Sequence, residues 1–325
     1  MPPFAAGECT MHYALVFSTS TQPTSIESWS ASKIDASAWL ADLSGHFAFL
    51  QPFTNVNWLN PGCAAEIMCH PGNSFTTDQA NNNSEFQALR DAAAARHLDV
   101  NIVPTTERQK KLLIADMDST IITSESLDNL AEMAGIGDKV AAITQRSMSG
   151  EIDFENALLE RVAMLRGQST QLFSYLITAA ELTPGAIVLV QTMRANGAKC
   201  YLISGGFDFM TRPVAALCGF HDHHANHLHV DNGKILGTVE TPVLDREAKA
   251  SYLAHYCNIH SIDIREAVTI GDGANDLAML IAAGMGVAFA GKPVLRDTIS
   301  IQLNHTDLRG LLYLQGYHKD NFISG

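Results

Sequence analysis

Lys111-Leu112-Leu113-Ile114-Ala115-Asp116-Met117-Asp118-Ser119-Thr120 is an apolar run that ends in two aspartates one residue apart, followed by two hydroxyl residues. A short apolar run bounded by polar signals reads as a buried strand. Residues i and i+2 of a strand share a side, so a strand that keeps its geometry to the end delivers Asp116 and Asp118 into one site. Two close carboxylates repel, and the pair needs a cation, a proton or both. Such a pair suits phosphoryl chemistry, with one carboxylate attacking while the other handles protons.

Two further strand signals, Cys200–Ile203 and Ala267–Ile270, also end in chemically loaded loops. The first runs into Ser204-Gly205-Gly206-Phe207, which leaves backbone N–H groups open to an anion. Alone it also describes a plain glycine-rich turn. The second runs into Gly271-Asp272-Gly273-Ala274-Asn275-Asp276. Its oxygen donors suit Mg²⁺, which takes one or two carboxylates plus water and phosphate. The same residues also make Asx-type turns. Lys249, in Asp245-Arg246-Glu247-Ala248-Lys249-Ala250, is by itself an ordinary surface lysine, of interest only as a counter-charge to Asp116 and a phosphoryl group. Helical stretches separate the strands, including Ala186–Asn196 with Gly197 as its C-cap. This alternation predicts an α/β fold with a parallel sheet covered by helices, and sites in such sheets lie beyond the carboxyl ends of the strands. From about Leu127 to Leu182 there is no strand signal, and the stretch reads as a helical insertion. Leu277–Gly291 reads as a core helix turning into a buried strand, too short and glycine-rich to span a bilayer.

The 325 residues allow two domains. Only Lys33 is basic before Arg90. In that region Tyr13–Phe17, Ala64–Met68 and Leu98–Val103 read as strands. Ser84-Glu85-Phe86-Gln87 has the form of a capping box, opening an alanine-rich helix to His97. Asn81-Asn82-Asn83 reads as an exposed loop. A weak helix near Ala36–Leu43 and a weak strand near Phe47–Phe53 complete β-α-β-β-α-β, the order of a small ferredoxin-like α+β module. The expected domains are 1–104 and 109–325, with polar Pro104–Lys110 as linker. A net charge of -13 argues against nucleic-acid binding, and a phosphate site on so acidic a protein needs local Lys, Arg or metal. The six cysteines show no C-x-x-C spacing, and no charged stretch precedes an apolar core before Lys33. The expectation is reduced thiols in a cytoplasmic protein that does not engage membranes.

Asp116-Met117-Asp118-Ser119-Thr120, Ser204, Lys249 and Gly271-Asp272-Gly273-Ala274-Asn275-Asp276, in that order, resemble the haloacid-dehalogenase superfamily, and within it the phosphoserine phosphatases, over roughly residues 109–318. The resemblance implies a Rossmann-like core with a helical cap at about 127–182. It implies Asp116 as nucleophile and Asp118 as acid and base. Mg²⁺ would sit on Asp116, the main-chain carbonyl of Asp118 and Asp272, with Asn275 and Asp276 close by. Ser204, Gly205 and Lys249 would hold phosphoryl oxygens, with Asn275 also on the substrate side. For the small-molecule substrate O-phosphoserine, Glu125 would meet the ammonium and Arg161 the carboxylate, while Met148 and Phe154 close over it. The amino-terminal module is similar to ACT-like domains, which bind amino acids or make homodimers.

The implied activity is hydrolysis of O-phosphoserine in serine biosynthesis. The alternatives are another small phosphomonoester, phosphoryl transfer to an alcohol such as homoserine, and an inactive amino-acid-binding regulator. The full set of nucleophile, acid, lysine and metal aspartates speaks against the last. Dehalogenation has no use for Asp118. His221, His223, His224, His227 and His229 invite a metal reading, but Asn232-Gly233 follows and marks a hairpin, so a strand with exposed histidines is expected.

Overall fold

The computed structural model describes residues 13–20, 56–69, 82–148 and 151–323. The expected helix near 36–43 and strand near 47–53, together with Cys9 and Asn81, lie outside the described residues. An antiparallel sheet holds β1 (Tyr13–Ser18), β2 (Asn57–Asn60), β3 (Ala64–Cys69) and β4 (Asp99–Pro104) in the order β2-β3-β1-β4. β2, which the sequence reading passed over, pairs with β3 across the turn at 61–63. Helix α1 (Ser84–Ala94) buries Phe86, Leu89 and Ala93 against Leu15, Phe17, Ile67, Val100 and Ile102. Its N-cap is Asn83, whose side chain accepts from Phe86 N at 2.8 Å, so the expected Ser84 capping box starts one residue too late. The helix also stops at Ala94, short of the expected His97.

A second, six-stranded parallel sheet has the order β12-β11-β10-β5-β6-β7. Its strands are β5 (Leu112–Ala115), β6 (Lys199–Phe207), β7 (Asp222–Asn226), β10 (Ala267–Gly271), β11 (Met285–Phe289) and β12 (Ile301–Leu303). Helices α2 (Ser126–Met133), α3 (Gly137–Met148), α4 (Phe154–Met164) and α5 (Gln171–Ala179) fill the expected insertion between β5 and β6. Next come α6 (Ala186–Ala195) before β6 and α7 (Asp208–Cys218) after it, and α8 (Arg246–His260) before β10. The alternation of side chains sorts β5 between two cores. Leu113 and Ala115 join Leu189, Val190 and Met193 of α6. Leu112 and Ile114 join Leu253, Tyr256 and Cys257 of α8. Asp116 continues the second register, toward α8.

β8 (Leu228–Asp231) and β9 (Lys234–Val239) form the expected hairpin, with positive φ at Asn232 and Gly233. The five histidines disperse over separate partners, among them Cys200 N for His221, Thr211 for His223, Tyr256 for His224, Asp208 for His227 and Thr238 for His229. His223 and His224 are half-buried, so exposure holds only for His221, His227 and His229.

Within the expected linker Pro104–Lys110, Thr106, Glu107 and Gln109 are exposed while Arg108 and Lys110 are buried. Arg108 is buried, 2.5 Å from Glu66, and donates to the carbonyls of Tyr313 and Leu314. Lys110 N donates to Gln315 Oε1 and its Nζ to Arg265 O. Each of these two buried charges has a partner, which offsets the cost of taking it out of water. Among the described residues, no helix is long and apolar enough to cross a membrane. The described cysteines, Cys63, Cys69, Cys200, Cys218 and Cys257, are free thiols.

Candidate active site at the carboxyl ends of the parallel strands

β5 stops at Ala115, and the chain then tightens into a turn over Met117–Ile121 in which Asp118 is extended and Ser119 has φ 53°. A left-handed serine is uncommon. Ser119 N donates to Ser124 O at 3.2 Å and its hydroxyl to Glu125 Oε1 at 2.9 Å, which hold the bend. Strand geometry therefore does not persist through the motif, and the two aspartates part company. Asp118 Oδ1 accepts from Ser126 N at 2.9 Å, and its Oδ2 lies 3.5 Å from Ser204 Oγ. Burial, reinforced by the nearby Glu125 carboxylate, pushes the Asp118 carboxyl up to about 7.

Asp116 joins a different group. Carboxylate oxygens of Asp116, Asp272 and Asp276 lie within 4.8 Å of one another, and all three residues are buried. Lys249 Nζ sits 2.7 Å from Asp116 Oδ1 and 2.6 Å from Asp276 Oδ1. Lys249 is fully buried, because it shares the inward stripe of α8 with Leu253, Tyr256 and Cys257. Burial opposes its charge, but Asp116 and Asp276 outweigh that and hold the ammonium above the ordinary lysine range. Burial first, then the Asp276 carboxylate, raises the Asp116 carboxyl against the pull of Lys249. Burial likewise lifts Asp272 to about 6, with Lys292 opposing. Three crowded buried carboxylates with oxygen donors only are the donor set that a hard divalent cation such as Mg²⁺ takes. Asp276, expected close by, puts a carboxylate oxygen into this cluster with Asp116 and Asp272; from Asp118 the expected ligand is the main-chain carbonyl, and its side chain stands apart. Asp276 is placed by Gly273 N, which donates to its Oδ2 at 3.0 Å. Asn275 is half-buried on the same turn.

Ser204 lies within β6, just past Ile203 where the pairing with β7 is interrupted; it is fully buried, and its Oγ accepts from Gly206 N at 2.9 Å. A Cβ on Gly206 would stand 2.7 Å from Asp118 Oδ2, so only glycine lets the two loops meet. Gly205 lies under the insertion: a Cβ there would stand 3.1 Å from Phe154 Cζ. Asn226 clamps this loop, donating to Gly205 O and accepting from Leu244 N.

On the insertion side Arg161 is half-buried, its guanidinium donating to Ala157 O at 3.1 Å and reaching Thr144 Oγ1 at 3.4 Å. Burial lowers its pKa, while Asp128 and Glu125 work to keep it charged. Glu125 itself is near Lys292 Nζ at 3.7 Å. Met148 ends α3, but its side chain lies outside the described residues. Sequence reading missed Asp128, whose Oδ1 is buried without a hydrogen-bond partner, and Lys292, 3.1 Å from Asp272 Oδ2. Lys292 follows β11, a fourth loaded strand end, and that position was its available signal. Nothing in the sequence marks Asp128, which sits in an ordinary amphipathic helix.

The sheet order and the acid-rich strand ends define a Rossmann-like α/β protein whose site is built to handle phosphoryl groups. Residues 113–280 match the model of the haloacid dehalogenase-like hydrolase family, and the chain belongs to that family. It is 41% identical over 203 residues to the phosphoserine phosphatase of Lactococcus lactis, covering 62% of this chain and 93% of that one. It is 37% identical to a phosphoserine phosphatase of Mycobacterium tuberculosis, but spans only 56% of that longer relative. A HAD family hydrolase structure from Salmonella enterica serovar Typhi superposes with a TM-score of 0.79 at 25% identity, covering 95% of this chain and 99% of that one. A substrate-bound phosphoserine phosphatase structure superposes with a TM-score of 0.60 at 34% identity, covering 63% of this chain and 97% of that one.

Proposed function

We propose that this chain is a phosphoserine phosphatase, hydrolysing O-phosphoserine to serine and phosphate through an aspartyl-phosphate, with Mg²⁺ as cofactor. The observation that carries the reading is the unequal treatment of the two motif aspartates. Asp116 is paired with a buried lysine and so can serve as a carboxylate nucleophile. Asp118, held apart with its carboxyl near pH 7, can serve as an acid. In the first step Asp116 forms the new bond to phosphorus while the serine oxygen leaves, taking a proton from Asp118. In the second, Asp118 takes a proton from the attacking water as the aspartyl-phosphate is cleaved. Lys249, with Ser204 and Gly205, would hold phosphoryl oxygens. Mg²⁺, held by Asp116, the Asp118 carbonyl and Asp272 with Asp276 adjoining, would add positive charge against which an anionic ester can be approached.

The choice of ester rests on the insertion and on the named relatives. Glu125 and Arg161 offer opposite charges for the ammonium and carboxylate of an amino acid, and Arg161 can present a planar fork. The same reading places the protein in the cytoplasm, at the last step of L-serine synthesis. The test is phosphate release from a set of small phosphomonoesters by wild type and Arg161→Ala. Phosphoserine is expected among the best substrates, and the variant should lose on the order of 10-fold or more on it while an aryl phosphate changes little. Equal losses on both esters would remove Arg161 from carboxylate recognition, and poor phosphoserine turnover by wild type would overturn the substrate.

A further inference from the structure

Lys292 occupies a position that the reaction sketched above does not use. It lies between β11 and α9 (Pro293–Thr298), and its backbone is held at both ends. Its N–H donates to Asp272 O at 2.9 Å, and its carbonyl accepts from Leu295 N and Arg296 N. Its ammonium is 3.1 Å from Asp272 Oδ2 and 3.7 Å from Glu125 Oε1. Ser119 Oγ donates to that same Glu125 oxygen at 2.9 Å. Glu125 precedes α2 and makes no capping bond, so Ser119 and Lys292 are the groups that orient its carboxylate. Lys292 and Glu125 are each about half exposed, with side-chain exposures of 47%. Exposed pairs add little stability, so packing does not account for the arrangement.

We infer that Lys292 is a positioning residue joining the two ends of the site, holding Asp272 toward the cation and Glu125 toward the substrate's ammonium. A carboxylate has two oxygens, and a lysine on one limits how the other can turn. Groups that hold metal-binding carboxylates in this way typically govern 10–100-fold in metal affinity. Glu125 faces a second demand, since it must stay near the site without being neutralised by a close hydrogen-bonded cation. At 3.7 Å the ammonium attracts it without a full hydrogen bond, leaving room for a competing ammonium from the substrate. The Glu125 half of this inference rests on the amino-acid ester reading; the Asp272 half does not.

The experiment uses the full chain with Lys292→Met and Lys292→Arg. Mn²⁺ binding is measured by electron paramagnetic resonance without substrate, and kcat and KM are measured for phosphoserine and p-nitrophenyl phosphate at saturating Mg²⁺. Lys292→Met is expected to weaken Mn²⁺ binding about 10–100-fold. It should raise KM for phosphoserine several-fold more than KM for the aryl ester, with kcat less affected, and Lys292→Arg should restore most of the metal affinity. Mn²⁺ affinity unchanged within about twofold would overturn the Asp272 role. Equal KM changes on the two esters would overturn the Glu125 role. If wild type fails to hydrolyse phosphoserine, the substrate reading falls, and the Mn²⁺ measurement alone judges Lys292.

Discussion

Two aspartates one residue apart end in different electrostatic surroundings because β5 ends at Ala115 and the chain turns at Met117, between them. Asp116 faces Lys249 and two other acids; Asp118 faces a backbone N–H and a serine. The difference predicts different failures. Asp118→Asn keeps shape but supplies no proton, so hydrolysis of phosphoserine should fall on the order of 10²–10⁴-fold. With an aryl phosphate, whose leaving group needs no proton, a burst of phenol about equal to the enzyme should precede a slow steady state. Loss of both phases alike would contradict the acid role. The same carboxyl bears on stability. Its folded pKa of about 7 lies above the ordinary 3.8, so the folded chain binds the extra proton between those values. The associated stability is fully present below about pH 4 and is lost as pH rises through about 7. Metal-free Asp118→Asn should therefore melt above wild type at pH 8, by about 2 kcal/mol after allowing for partial exposure, with the gap closing toward pH 4. A gap that does not change with pH would count against the raised carboxyl.

At the scale of elements, each strand end contributes one kind of group, and glycine sets how close two ends can come. β6 brings Ser204 to Asp118 only because Gly206 has no side chain where Asp118 Oδ2 lies. Gly206→Ala should displace the Asp118 carboxyl while leaving the sheet intact. Displacements of this size reduce turnover on the order of 10²-fold. Circular dichroism should match wild type while kcat falls; an unaffected kcat would show that the contact is slack. α8 shows the same dependence. Lys249 is buried because it lies one turn before Leu253 on a helix whose apolar stripe faces β5 and β6, so packing of the stripe delivers the cation to Asp116.

Across the whole molecule, polar groups add to the apolar cluster in which Ala14, Val16, Leu59 and Val103 of the antiparallel sheet join Leu311, Leu312 and Tyr313. Asp99 on β4 accepts from Asn304 N, His305 N and Thr306 N at 2.8, 3.0 and 2.8 Å. Asn101 exchanges two hydrogen bonds with the backbone of Gln302 on β12, and Arg108 pairs with Glu66 while capping Tyr313 and Leu314. Removing one acceptor from such a set leaves several N–H groups without partners, each costing about 1–3 kcal/mol. Asp99→Ala is expected to destabilise the protein by roughly 3 kcal/mol and to split calorimetric melting into two transitions, as the sheets lose their common support. A single transition with unchanged midpoint would mean that the other contacts suffice.

The alternation of strands and helices, the three loaded strand ends and the stripe of β5 follow from local chemistry: apolar runs, polar stops and turn residues a few positions apart. That much is legible because the causes lie within a few residues of the effects. The departure of Asp118 from Asp116, the burial of Lys249 and Arg108, and the bridge from Lys292 to Asp272 and Glu125 are not legible in that way. Each depends on a partner far along the chain, and a lone Lys or Arg in sequence reads as a solvated charge. Whether it is buried depends on which carboxylate the packed helices and strands place within about 3 Å, the reach of a charge-assisted hydrogen bond. The Lys111–Thr120 motif by itself marked a strand end with two acids; only the tertiary structure divided them between a cation-paired cluster and a protonatable site.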